Sequence, residues 1–203
     1  MNTKLSYHLL IIVFFSSCEG IYLPKPNAYL SLDFPDPNYS KIKFDNSNVS
    51  LEINSSKTSL LDNISESNSE LFLSKTLSYP FIKADILLEY FKLNKSNNLN
   101  YRLKYLSDFT AIHLKKSLSP PSVQEFVNEK TKVFASIINI KGDITSPYQF
   151  YATDSTNNLI IGILNFKSNT KYDSVLPALN YLKNDIYHLI ESLNWNVDKW
   201  IWS

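Results

Sequence analysis

The chain has 203 residues, with 20 basic and 19 acidic side chains and a formal net charge of +1. One cysteine excludes an intrachain disulfide, and three glycines (Gly20, Gly142 and Gly162) leave no material for a glycine-rich phosphate cradle. Balanced charge, with Arg102 as the lone arginine, gives no basic footprint for nucleic acid.

The first residues have the layout of a secretory signal: Lys4, then the apolar run Leu9 to Phe15, then the small residues Ser16 and Ser17. The run is about half of the roughly 20 residues a transmembrane helix needs. Cys18 follows directly. The arrangement resembles a bacterial lipobox, with Phe15 where Leu is usual and Ser17 where Gly or Ala is usual. The expectation is that residues 1–17 are removed and that Cys18 takes a diacylglycerol through a thioether. Several acyl chains on one residue anchor stably where a single chain does not. The alternative is an ordinary signal peptide with a chance cysteine. Without Lys4 the remaining chain balances at 19 basic and 19 acidic side chains.

Residues 18–28 read as a lipidated tether. From Glu19 to Tyr29 it reaches at most about 36 Å, at about 3.3 Å per residue. Pro24 and Pro26 stiffen it and bracket Lys25, with rings at Tyr22 and Tyr29. Tyr22, Pro24, Lys25, Pro26 and Tyr29 thus form a collar suited to a fixed path, either on a membrane partner or on the chain's own domain.

Residues 29–203 read as one α+β domain. Tyr29 to Phe34 alternates like a strand and Pro35 to Asn38 is a turn. Residues 42–44 and 49–53 continue as short strands, and the Ser- and Asn-rich stretch 54–69 reads as a loop. Ile82 to Phe91 is a long strand. Residues 101–117 have the three-to-four spacing of a helix, through Leu103, Leu106, Phe109 or Thr110, Ile112 or His113, and Leu114, and Pro120–Pro121 forbids its continuation. Strands follow at 133–140, 148–153 and 159–166, with turns too short for parallel crossovers. The last helix runs from about Asp173 to Leu193. Leu176, Leu179, Leu182, Ile186, Leu189, Ile190 and Leu193 form its core face, while Asp185 and Glu191 turn toward water. The expected architecture is an antiparallel sheet, a meander in its C-terminal half, covered by two helices on one face. Gly162 inside a strand marks a close approach, expected to be a crossing helix.

Catalytic chemistry is sparse. His113 and His188 stand in no metal-ligand spacing. Asp154, Ser155 and His188 could in principle form a nucleophile and base, but no nucleophile elbow or glycine-rich oxyanion turn accompanies them. The plainer reading has Asp154 and Ser155 building a turn while His188 packs on its helix. No catalytic residue, metal or cofactor is expected.

Tyr22-Leu23-Pro24-Lys25-Pro26, Tyr29, Asp33-Phe34-Pro35 and Tyr39 resemble the segment just after the lipid cysteine of the gliding-motility lipoprotein GldD family. Gln149 to Thr156 resembles a second signature of that family, Gly162 to Phe166 its next strand, and Asp173-Ser174, Pro177, Asp185-Ile186, His188 to Glu191 and Trp195 its final helix. Asn27-Ala28 and Asn157-Asn158 depart from it, and Asn196 to Ser203 extends beyond its usual end. The resemblance implies an envelope lipoprotein of the gliding and type IX secretion machinery, held to a membrane by Cys18, facing the periplasm, with protein partners and no enzymatic activity. A lipid-anchored ligand-binding or hydrolytic domain is the alternative.

Overall fold

The computed structural model describes residues 33–45, 47–67, 70–168 and 171–195. Two β-strands, β1 (Tyr39–Lys43) and β2 (Ser50–Asn54), pair as an antiparallel hairpin. Seven more make one antiparallel sheet: β3 (Ser59–Ser67), β4 (Glu70–Tyr79), β5 (Ala84–Lys92), β6 (Ser122–Asn128), β7 (Val133–Asn139), β8 (Tyr148–Thr153) and β9 (Asn158–Phe166). Their order across the sheet is β3-β4-β5-β9-β8-β7-β6. Helix α1 (Leu99–Leu114) joins β5 to β6, and α2 (Tyr172–Glu191) follows β9.

The α+β class and the C-terminal meander match the expectation, but the helices lie on opposite faces of the sheet. Period-two alternation in β9 makes this visible. Ile160 and Leu164 join the large core under α2, whereas Leu159, Ile161 and Ile163 join a smaller core with Leu106 of α1. A central strand covered on both faces has no polar side, which is why residues 159–164 read as an unbroken apolar run. The β1–β2 hairpin shares the α2 face. Its Ser50 bridges to Asn194 just past α2 through two backbone hydrogen bonds of 2.9 and 2.8 Å.

Helix α1 starts where Asn98 accepts the Tyr101 amide at 3.0 Å. The alternatives on its stripe resolve: Thr110 is buried and Phe109 half-buried, while Ile112 is exposed. The N-terminus of α2 is capped from outside, because the Asp143 carboxylate accepts the Tyr172 amide at 2.8 Å. Pro177, the residue without an amide hydrogen, falls inside the helix near its start.

Several sequence expectations need correction. Asp33 and Phe34 lie in irregular chain; the rest of the expected Tyr29–Phe34 strand lies outside the described residues. Proline at 35 and 37 withholds two ladder donors there. The polar stretch 54–69, expected as a loop, holds β3. It is an edge strand, and Asp62 finds a cationic partner directly opposite in Lys75 of β4. Strands β4 and β6 had no counterpart in the expectation. The close approach at Gly162 comes from the next strand, not a helix. A Cβ at Gly162 would sit 1.9 Å from the Phe150 ring, which lies across from it in register.

Candidate functional site

Asp185 was expected to face water. It is instead 5% exposed, on the inner face of α2 and under the N-terminal hairpin. Helical spacing alone put it beside the apolar stripe, and the hairpin supplied the cover that a pattern within one helix cannot reveal.

Three chain segments converge on this carboxylate. Tyr39 at the start of β1 donates its hydroxyl to Asp185 Oδ1 at 3.0 Å. Asn54 at the end of β2 donates its amide to both carboxylate oxygens, at 3.2 and 3.0 Å, and to the Tyr181 hydroxyl at 2.8 Å. The Tyr79 ring is buried completely next to the same group, with its hydroxyl outside hydrogen-bonding geometry. Burial raises the Asp185 pKa above the ordinary carboxylate range, and the hydrogen bonds from Asn54 and Tyr39 pull it back in part. Burial together with the neighbouring carboxylate pushes the Tyr39 and Tyr79 phenols well up.

Around this centre the N-terminal segment is pinned by rings. Phe34 stacks on Tyr181 with centroids 4.8 Å apart, and Phe81 meets both edge-on. Tyr39 stacks on the His188 imidazole at 3.5 Å. The other side of that imidazole is tied down, since His188 Nε2 lies 2.8 Å from Glu52 Oε2 of β2. The chemistry available here is clasping: a buried carboxylate that accepts from Tyr39 and Asn54 holds both ends of the N-terminal hairpin to the last helix.

Asp154, Ser155 and His188 are not brought together as a catalytic group. The Asp154 carboxylate accepts the amides of Thr156, Asn157 and Asn158 at 2.8–3.0 Å and the Asn158 side chain at 2.6 Å. Burial alone would raise its pKa, but these four bonds prevail and lower it. Ser155 takes the left-handed backbone conformation of the same turn, at φ 66°. The plainer reading of Asp154 and Ser155 therefore holds. A shallow depression of about 260 Å³ lies beside this turn, lined by Leu93, Asn98, Leu99, Asn100, Ser155 and Thr156 among others; His188 is not part of it. Among the described residues no group of three or more His, Cys, Asp or Glu could hold a metal ion, and no helix is long and apolar enough to cross a membrane. Cys18, Tyr22, Pro24, Lys25, Pro26 and Tyr29 lie outside the described residues.

The clasp joins the two ends through which the chain resembles the lipoprotein family: Phe34 and Tyr39 from the first signature, Asp185 and His188 from the last helix. The middle signature alternates between the faces: Phe150 and Ala152 enter the large core under α2, while on the other face the buried Gln149 side chain accepts from the Thr110 hydroxyl of α1 at 2.5 Å. The family described as gliding motility lipoprotein GldD matches residues 19–195. The chain belongs to the GldD family. It is therefore a lipoprotein of a gliding-motility family. The match begins at the residue after Cys18 and ends at Trp195, so the clasp lies wholly within it. No curated protein and no solved structure matches the chain.

Proposed function

We propose that this GldD-family lipoprotein is a non-enzymatic accessory or assembly factor of gliding motility and type IX secretion. It is anchored by lipid on Cys18, faces the periplasm and works through protein contacts. The observation that carries this reading is the Asp185 clasp. Phe34 and Tyr39, a few residues beyond the expected tether, are fixed to α2 by ring stacking and by a hydrogen bond to a buried carboxylate. A contact or pull delivered near the membrane thus reaches the core directly. The collar of Tyr22, Pro24, Lys25, Pro26 and Tyr29 lies between lipid and clasp, where a membrane partner of the machinery would meet it. Among the described residues the hydrolytic alternative draws on a polar depression beside Ser155, whose lining holds no histidine to serve as base.

The test replaces residues 22–27 by a Gly/Ser linker of equal length in cells, keeping Cys18, and follows crosslinked partners and secretion. The expected result is a folded, membrane-bound protein that loses its partner and its secretion phenotype. Full complementation would refute partner binding by the collar. In parallel, Cys18→Ser should release the protein from membranes washed with high salt; retention there would refute the anchor.

A further inference from the structure

Among the described residues, β6 is an edge of the seven-stranded sheet and pairs only with β7. An open edge presents unpaired amide and carbonyl groups, and proteins usually guard it with lysine, proline, a bulge or a cover. Strand β6 is seven residues long, and its one charge is Glu125. Its two faces differ. Phe126 packs toward the large core, and Gln124 accepts the Tyr187 hydroxyl of α2. Val123, Glu125 and Val127 turn the other way. The two valines are 58% and 59% exposed, and Glu125 makes no ion pair among the described residues. The edge therefore displays an apolar–acidic–apolar row beside open backbone groups.

The sequence holds a matching segment, and the fold delivers it to the right place. Trp195 donates its indole N–H to the Lys132 carbonyl at 2.9 Å, in the turn that joins β6 to β7. Residues 196–203 continue from there as Asn-Val-Asp-Lys-Trp-Ile-Trp-Ser. A chain leaving that turn along the edge runs antiparallel to β6. Eight residues span about 26 Å at about 3.3 Å each, enough to follow all of β6.

We propose that residues 196–202 add to the open edge of β6 as an antiparallel strand, with Val197 opposite Val127, Lys199 opposite Glu125 and Ile201 opposite Val123. In this register every cross-strand pair on that face is apolar on apolar or cation on anion. Trp200 and Trp202 take the alternate face, beside Gln124 and the Tyr187 ring. On that alternate face the register also sets Asp198 opposite Phe126. A slip of one residue would set Trp200 against Glu125 and lose the ion pair together with both valine pairs. This pairing also accounts for the aromatic tail, for which the function proposed above has no use, and it does not depend on that function.

Two measurements on the full chain test it. The first is amide hydrogen exchange over residues 122–128. Glu125→Lys should exchange there about tenfold faster than the unaltered chain, and Glu125→Lys combined with Lys199→Glu should restore protection. The second is oxidative crosslinking of Val127→Cys with Val197→Cys, since directly opposed strand residues lie within disulfide reach. A bridge within one chain is expected, with Val127→Cys alone as the control for pairing to Cys18. Unchanged exchange in Glu125→Lys, failure of the double charge reversal to restore it, no bridge, or a bridge only between two chains would each overturn the proposal. The last outcome would assign the edge to a second copy.

Discussion

The two faces of the central sheet are built to different standards. Under α2 the sheet, the hairpin and the helix enclose a large aromatic core, and even a carboxylate, Asp185, is buried there with its donors. Under α1 a handful of side chains around Leu106, Phe91 and Ile161 make the contact, while Tyr101, Tyr105 and Ile112 on the helix and Val123 and Val127 on the sheet stay exposed. The helices differ in the same sense: α2 buries seven residues, α1 only Leu106 and Thr110. The α2 face is therefore the more deeply buried of the two and fixes the N-terminal segment, and the α1 face leaves large apolar side chains exposed.

The sharpest way to break the α2 face is Gly162→Val. The new Cβ would fall inside the Phe150 ring position, between two central strands that cannot part without opening both cores. The expected loss is about 3 kcal/mol, at the upper end for overpacking, read as a lowered urea midpoint. Pairing Gly162→Val with Phe150→Leu should return part of it. A midpoint equal to wild type would mean that Phe150 swings away freely and that the core is looser than its burial indicates.

Removing the carboxylate of the clasp comes next. Asp185→Ala removes the acceptor of the Tyr39 hydroxyl and leaves the buried Asn54 amide with the Tyr181 hydroxyl alone, at an expected loss of about 2 kcal/mol. Susceptibility of the Phe34 segment to proteolysis should rise with it. If stability falls but cleavage near Phe34 does not change, the carboxylate supports α2 without holding the N-terminal segment.

A smaller effect follows from titration. Burial raises Asp185, so the folded chain keeps that proton to higher pH than the unfolded chain. Its favourable contribution is complete below the unfolded value of about 4 and is lost as pH rises through the raised folded value. Asp185→Asn cannot titrate. The stability of wild type relative to Asp185→Asn should therefore decline as pH climbs from about 4 toward neutrality. A flat difference would show that Asn54 and Tyr39 offset the burial fully. Asp154 runs the other way: its lowered pKa contributes stability that is lost on acidification, and Asp154→Asn should weaken the acid limb of the stability curve.

Local pattern was enough for the elements whose register is set by their own alternation. Strand 148–153 coincides with β8, and the long strand, both helices and the strand at 159–166 shift only at their ends. What escaped were features fixed by distant cover. Strand β3 is an edge of the sheet among the described residues, and its Ser- and Asn-rich stretch, with Asp62 on the same face as Leu60, read as a loop because the buried Lys75 opposite Asp62 belongs to β4. The opposite placement of the helices follows from which side of β9 each meets, and no single-helix pattern carries that information. Asp185 was missed for the same reason. One signal was present: Asp185 sits between Leu182 and Ile186 of the buried stripe, close enough in helical angle for a cover from elsewhere to enclose it.

The smallest expected effect sharpens the comparison from the other side. Ile112 lies near the C-terminal end of α1 and is 63% exposed, so its side chain already meets water in the folded state. Ile112→Ser should change stability by no more than about 0.5 kcal/mol, as surface substitutions do. Helix propensity will not mask the result, because Ile and Ser rank alike in a helix interior. Leu106 is the internal control: it lies on the sheet-facing side of α1, 2% exposed against Phe91 and Ile161, and Leu106→Ala should cost about 2 kcal/mol or more. If Ile112→Ser proves as damaging as Leu106→Ala, α1 is covered on its outer side in the intact protein, and the open face would already be occupied. If it is silent for folding but weakens partner capture in cells, the exposed isoleucine belongs to a contact surface.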